Sequence, residues 1–549
     1  MWITPAGAFT SSPAWRYSSK APRPHRRKSK HPRGSFRGCV ARHRRLPVTD
    51  LSIVPSRRKR VKPAAVEPQP VASAREWSSL QSAIFDWFAS GAGHLLVRAR
   101  AGTGKTTTII EGVSRAPERS ILLAAFNKSI AEELSTRLRP PAIAKTLHSV
   151  GFGCIMRFRK TVNVDGNRAR RLLELAYDNA PGAIIDLAAR LAGLGKDIKP
   201  MCAGAMDLAP IAEAFEIEPE EELEKEGWTV QVITEMAYQC MLDSLEDDGT
   251  IDFSDMIYVP LRHGWVTGKY DLVCIDEAQD MNTGQIMLAQ RSCREGGRIA
   301  VIGDDRQAIY GFRGADSGSL DRLKDSLKAQ ELGLKITYRC GTEIVRIARN
   351  LCPDFEAGPN NPPGAVIGAS LTDLYSMIKP GAFVLSRLNA PLPGICLRLL
   401  RKGVKAHIQG RDVGKGLLLL VRRVARGTIS ETLDALEEWA DKQIERAKKK
   451  GGKTVDMKIS SIMDQAETLA GLSDGLSTAQ ELVARIEHLF TDIGGPGSVM
   501  CSTVHKSKGL EADQVFILED SFRFEGAEED NIRYVALTRA KSELYLVRK

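Results

Sequence analysis

Ala99-Arg100-Ala101-Gly102-Thr103-Gly104-Lys105-Thr106-Thr107 follows an apolar stretch and precedes a helix-like pattern. These residue types suit phosphate. Gly102 and Gly104 let backbone N–H groups wrap closely around an anion, and a following helix adds its positive end. Lys105 is then placed to reach β- and γ-phosphates, and Thr106 to offer a hydroxyl to Mg²⁺. Ala99 stands where the general pattern has its first Gly, so the strand, loop and helix context carries the assignment. A second candidate is Asp271-Leu272-Val273-Cys274-Ile275-Asp276-Glu277, an apolar run ending in two acids. A carboxylate at a strand's carboxyl edge beside such a loop is where a metal must be held, which assigns Asp276 to Mg²⁺. Glu277 is next to it, placed to polarise an attacking water as a general base. A third is Val301-Ile302-Gly303-Asp304-Asp305-Arg306-Gln307, where Gln307 can hydrogen-bond both water and γ-phosphate. Arg339 follows a strand-like run and Arg539 sits in the last helix-like segment. An arginine reaching a transferring phosphoryl group across a cleft is worth about 10³–10⁵ in rate.

These groups need elements to hold them. Leu80, Ile84 and Phe88 have helical spacing, and residues 94–98 read as a short buried strand before the Gly-rich turn. Strand and helix patterns alternate to about residue 149, which indicates a parallel sheet. Residues 150–250 read as helices, and strands return at 272–275 and 299–302. A second alternating pattern starts near 320, with strands expected at 334–337 and 383–385. Residues 415–490 are helical and highly charged, and strands return at 499–502 and 514–518. The fold class is therefore α/β, two P-loop-type units with parallel sheets and flanking helices, each interrupted by a helical insertion.

The 549 residues carry 78 Lys and Arg against 67 Asp and Glu. Residues 1–66 hold 17 basic residues and one acid, a net of +16, which leaves −5 for the rest of a chain whose total is +11. Basicity is a property of this tail, rich in Arg, Pro and Ser, and its composition predicts disorder over 1–70. The run Arg57-Arg58-Lys59-Arg60-Val61-Lys62 fits a nuclear localisation patch, a DNA-binding arm or a plain solvated tail. Ordinary hydrophobic and charged fractions (43% and 26%) exclude a mostly disordered chain. No apolar run approaches the roughly 20 residues of a membrane span. Ten cysteines without a C-x-x-C pair or a His cluster read as reduced thiols.

Taken in order, the motifs resemble those of the UvrD/Rep/PcrA group of superfamily 1 DNA helicases, over roughly residues 75–549. ARAGTGKTT at 99–107 is similar to motif I, AAFNKSIAEEL at 124–134 to motif Ia, and KTLHS at 145–149 to motif Ib. DEAQD at 276–280 resembles motif II, GDDRQAIYGFRGA at 303–315 motif III, and TYRC at 337–340 motif IV. LSRLNA at 385–390 resembles the following DNA-touching segment, STVHKSKGLE at 502–511 motif V, and YVALTRAK at 534–541 motif VI. The resemblance implies two RecA-like domains with ATP between them: 1A (71–149 and 254–320) and 2A (321–412 and 498–549). It also implies insertions 1B (150–253) and 2B (413–497), the latter short for the group.

By the same resemblance, Gln81 would read adenine and Tyr338 stack on it. Ala101, Gly102, Thr103, Gly104, Lys105, Thr106 and Thr107 would hold the phosphates. Gly509 and Glu511 would meet the phosphate region and ribose, and Arg339 and Arg539 the γ-phosphate. Phe126, Asn127, His148, Tyr310, Phe312, Arg313, Arg387, Asn389 and His505 would line the DNA. Asn531 stands where the group often has Arg. The resemblance implies ATP and Mg²⁺ as cofactors, single-stranded and partly duplex DNA as partner, and 3′→5′ movement, with no membrane partner.

Three other readings stay in view: a translocase that strips proteins from single strands, a regulatory ATP-binding module, and an RNA helicase of the related Upf type. RNA is disfavoured because DEAQD, SRLNA and HKSKGLE fit the DNA group better. The expected location is cytoplasmic and nucleoid-associated in a bacterial or phage setting, or nuclear if the basic run acts as a signal.

Overall fold

The computed structural model describes residues 76–548 apart from 91, 248, 310–317, 451–454 and 492–493. The tail expected over 1–70, with its 57–62 basic run, lies outside the described residues. The first sheet has six parallel strands, edge to edge Ala142–Thr146, Ile121–Ala125, Tyr270–Ile275, Cys293–Gly303, Leu95–Ala99 and Gln330–Leu334. Its inner strands carry buried apolar runs, Leu95–Val97, Ile121–Ala125, Leu272–Ile275 and Ile299–Ile302, because helices cover both faces. Leu95 and Val97 pack with Ile84, Phe88 and Ile109 on one face, while Leu96 packs with Val273, Leu261 and Leu288 on the other. The two-residue period of a strand sets that division.

The second sheet has seven parallel strands: Ala365–Ser370, Ala540–Arg548, Ala512–Leu518, Phe383–Ser386, Val499–Thr503, Ala406–Gln409 and Phe490–Thr491. One expected boundary moves. Residues 321–334 were assigned to the second unit, but Gln330–Leu334 pairs with Leu95–Ala99 as the last strand of the first sheet. Its residues are amphipathic, as befits an edge strand. Ile336–Thr337 pairs instead with Glu356–Ala357, away from the large sheets.

The insertions differ in how they are anchored. Between the helices Leu147–Ile155 and Asp255–Arg262, the helices Arg168–Ala176, Gly182–Ile198 and Val230–Asp243 share a core of Leu173, Ile184, Leu191, Ile233 and Met236. Buried charges pin this insertion to the first domain: Asp255 pairs through Oδ2 with Arg168 Nη1 at 2.7 Å and through Oδ1 with Lys196 Nζ at 2.7 Å. The later helices Arg411–Val424, Ile429–Lys450, Val455–Ser473 and Ala479–Leu489 have no core of their own. Leu417, Val421, Leu436, Leu469 and Leu482 pack into one cluster with Val384, Ile408 and Val499 of the second sheet. Among the described residues, no helix is long and apolar enough to cross a membrane.

Candidate nucleotide cleft and strand contacts

Three strands of the first sheet deliver the chemical groups. Leu95–Ala99 and Tyr270–Ile275 flank Cys293–Gly303, so the loops after all three emerge at one carboxyl edge. After the first strand, Gly102 and Gly104 take left-handed φ of 68° and 78°. A Cβ at Gly102 would lie 2.5 Å from Arg339 Cβ and from Thr337 Oγ1 of the facing domain, so only glycine fits. Gly104 caps the helix Lys105–Arg115 without a side-chain acceptor, which leaves the first-turn N–H groups to bind an anion. Gln81 is buried at the start of this unit, where its Nε2 donates to Thr108 Oγ1 at 3.0 Å on the same helix. Thr103 is buried with its hydroxyl on Arg100 O, and Thr106 and Thr107 are half-buried beside Lys105.

Lys105 Nζ lies 2.8 Å from Glu277 Oε1, yet it is a buried ammonium with no partner in hydrogen-bonding geometry. Burial opposes its charge, but Glu277, Asp276 and Asp304 outweigh that and hold its pKa above the ordinary value. Burial also lifts Asp276, helped by the neighbouring Glu277, while Lys105 and Lys508 overcome burial to hold Glu277 low. Glu277 sits at a φ of 52°, a strained backbone of the kind that aims a side chain at a functional site. Gln279 orients it: Nε2 donates to Glu277 Oε2 at 2.6 Å while Oε1 accepts from Asp304 N–H at 3.0 Å. Gln307 donates to Asp304 Oδ2 at 2.6 Å. The buried Asp276 carboxylate, with Glu277 and the Thr106 hydroxyl close in the same loops, is a hard-oxygen set that fits Mg²⁺, usually held by one or two carboxylates, and the Lys105 ammonium paired with Glu277 suits the accompanying phosphate.

The second domain faces this edge directly. Tyr338 N–H donates to Gly102 O at 2.9 Å, and the Tyr534 hydroxyl accepts from Ala101 N–H at 3.1 Å. The Tyr338 ring is 48% exposed, free to stack on a flat base. Arg539 is buried, with Nε on Val535 O at 2.9 Å and Nη1 on Leu510 O at 3.1 Å. Burial and the nearby Arg339 draw its pKa down to about 10, so it remains charged at neutral pH. Arg339 pairs with Glu511, and Gly509 turns beside it at a φ of 85°. Lys508 bonds both oxygens of Asp280 at 2.7 Å and also the carbonyl of Gln307.

Several of these were missed from the sequence. Gln279, Asp304, Lys508 and Tyr534 all stand inside motifs already singled out, so their spelling was the available signal. Asn531, where an arginine was expected, is buried and donates to Asp305 O and Ala308 O at 3.1 and 3.2 Å. It ties the second domain to the loop after the third strand.

The strand-contact candidates are placed differently. Tyr310, Phe312 and Arg313 lie outside the described residues. Phe126 is half-buried, and Asn127 caps the helix Lys128–Arg137 by accepting from Ile130 N–H at 2.9 Å. His148 is half-buried at the start of its helix, and burial lowers its pKa. Arg387 makes a two-point ion pair with Glu529 at 2.7 and 2.9 Å. Asn389 gives its backbone and side-chain N–H groups to Asp464 at 3.1 and 3.0 Å. His505 is half-buried, and burial with Arg387 and Lys508 takes its pKa down to about 4.

Two parallel-sheet domains, one carrying a P-loop and the other aiming arginines at it, define a RecA-like pair of the P-loop nucleotide-binding class. Residues 84–328 match the family model of the UvrD/REP helicase N-terminal domain, and residues 498–547 that of the UvrD-like helicase C-terminal domain. The chain belongs to the UvrD/Rep helicase family. It is 25% identical over 511 residues to F-box DNA helicase protein 1 of Schizosaccharomyces pombe, covering 82% of this chain and 55% of that protein. Against F-box DNA helicase 1 of Gallus gallus the identity is 24%, over 82% of this chain and 47% of the relative. Against the ATP-dependent DNA helicase PcrA of Bacillus subtilis it is 27%, over 47% and 37%. The chain thus spans about half the length, or less, of the curated relatives it matches.

Proposed function

We propose that this chain is an ATP-driven motor on single-stranded DNA that moves 3′→5′ and separates duplex. The observation that carries this is the Lys105 ammonium, buried in the P-loop against Glu277 and set opposite arginines of a second domain whose backbone already touches the P-loop. Lys105 and the P-loop N–H groups bind the phosphates, and Tyr338 stacks on the base. Thr106 and Asp276 hold Mg²⁺, which when bound neutralises charge on the phosphate oxygens. Glu277, oriented by Gln279, accepts the proton of the attacking water. Arg339 and Arg539 stabilise charge from the second domain. For Arg339 this means exchanging its Glu511 partner for phosphate. Gln307 stands close in sequence to Tyr310, Phe312 and Arg313, so closure of the cleft is coupled to grip on the strand. Family membership supports DNA over RNA as the track.

The test is ATP hydrolysis with and without single-stranded DNA, with Lys105→Ala as the blank, followed by strand displacement on duplexes with 3′ or 5′ tails. DNA-stimulated turnover that unwinds from a 3′ tail is expected. Turnover with protein displacement but no unwinding would leave a translocase, and nucleotide binding without turnover would overturn the motor.

A further inference from the structure

Arg100 enters none of the roles above, yet it is the most heavily engaged side chain at the cleft. It is 6% exposed. Its Nη1 donates to Asp304 Oδ1 at 3.1 Å and to Asp305 Oδ1 at 2.8 Å. Its Nε and Nη2 grip Asp354 of the second domain, at 3.0 Å to each carboxylate oxygen. A buried guanidinium is costly unless its fork is filled, and three carboxylates fill this one.

One of its partners leads to the centre of the cleft and another to the surface of the second domain. Asp304 accepts from Arg100 through Oδ1 and from Gln307 through Oδ2. Its N–H fixes Gln279, which fixes Glu277, which faces Lys105. Asp354 has a side chain 51% exposed and lies just after the helix Thr342–Ala348 of the other domain. One unbroken chain of polar contacts therefore runs from the surface of the second domain, across the cleft, to the two groups placed to handle the attacking water.

We infer that Arg100 is a positioning residue that reports docking of Asp354 to Gln307 and Glu277 through Asp304. With Asp354 in place, the guanidinium is held against Asp304, and that carboxylate in turn holds Gln307 and Gln279 in line. With Asp354 withdrawn, Arg100 keeps Asp305 but loses the anchor that fixes its plane, and the alignment loosens. Hydrolysis thereby waits for domain closure without Arg100 touching substrate. The inference rests on reading the cleft as a site of ATP hydrolysis.

The test compares Asp354→Ala, Arg100→Ala, Arg100→Lys and the Arg100→Ala/Asp354→Ala pair. Asp354 is a surface residue, so its variant keeps the fold. Expected is a kcat loss of about tenfold for Asp354→Ala with the KM for ATP within about twofold, a split that marks an interaction made on the way to the transition state. Arg100→Ala loses more, and the pair loses no more than Arg100→Ala alone, because the two act as one unit. Arg100→Lys recovers only part, since a single ammonium cannot serve both sides of the fork. Wild-type kcat in Asp354→Ala, or losses that multiply in the pair, would overturn the inference. If DNA fails to stimulate the wild type, the DNA-motor reading falls and the relay is judged on basal hydrolysis. A second readout needs no turnover: the transition-state mimic ADP with aluminium fluoride should protect residues 352–358 from hydrogen exchange in the wild type but not in Arg100→Ala. Equal protection in both would also overturn it.

Discussion

The candidate nucleotide cleft and the candidate strand contacts are assembled on different terms. At the cleft, charged groups are held by other charged or polar groups whose own positions are fixed: Glu277 by Gln279, Gln307 by Asp304, Asp304 by Arg100. Lys105 is kept buried against Glu277. Along the strand path, the candidate side chains already hold the protein together. Asn127 caps a helix, Arg387 is clamped by Glu529, and Asn389 is tied to Asp464. A site that must stabilise a fleeting charge benefits from preorganisation in advance. A track that must grip and release any base does not, and stacking with backbone contact serves it better.

The sharpest way to break this contrast is Arg539→Ala. Hydrolysis in the presence of single-stranded DNA should fall about 10³-fold or more while nucleotide affinity changes little. A loss under tenfold would remove Arg539 from the cleft's chemistry. Chelating Mg²⁺ should likewise stop turnover, and restoring it should recover the rate in full. Tyr338→Ala is expected to weaken ATP binding by about 1–3 kcal/mol, the usual worth of stacking on a base, without lowering kcat. Any preference for adenine over other nucleotides should survive that change and be lost in Gln81→Ala, because stacking accepts every base.

On the other side of the comparison the effects are smaller. Asn389→Ala removes one neutral donor from Asp464 and should cost about 1 kcal/mol of stability, read as a lowered midpoint of chemical unfolding. Its effect on affinity for single-stranded DNA should be under twofold. A large affinity loss at unchanged stability would move Asn389 back to the track. His505, whose pKa is near 4 in the folded chain, is neutral at pH 7. Its depressed pKa means the unfolded chain takes up a proton that the folded chain refuses. The stability it contributes is complete above about pH 6.5 and is lost as pH falls toward 4, by at most ~3 kcal/mol. His505→Gln should flatten that slope, and DNA affinity of the wild type should not change between pH 7 and 8 on its account.

The cleft was legible because phosphate chemistry demands particular residue types at short spacings: a glycine pair before Lys105, paired acids after an apolar run, a Gln after another. The sheets were legible where strands are buried on both faces and carry apolar runs, as at Leu272–Ile275 and Val499–Cys501. Gln330–Leu334 was misplaced because an edge strand has a weak pattern and its pairing partner lies more than 200 residues away. Separation of 254 residues hid Arg100 from Asp354, and 75 residues hid Asn389 from Asp464. Local spacing says what a residue can do, and only tertiary pairing says whether it is already occupied. The separate core of the first insertion and the shared core of the second were equally invisible, since both segments show the same helical periodicity.

That shared core bears on how the molecule could be re-engineered. The helices between Arg411 and Leu489 supply one wall of the second sheet's interior, with Leu469 and Leu482 fully buried against it. They are not a cassette. A relative's insertion grafted at this position would have to reproduce that wall residue by residue, whereas the segment between Ile155 and Asp255 carries most of its own interior and must match, at the seam, Met256, Tyr258 and Val259 together with the ion pairs to Asp255. Exchange of parts between relatives is therefore easier at the first insertion than at the second.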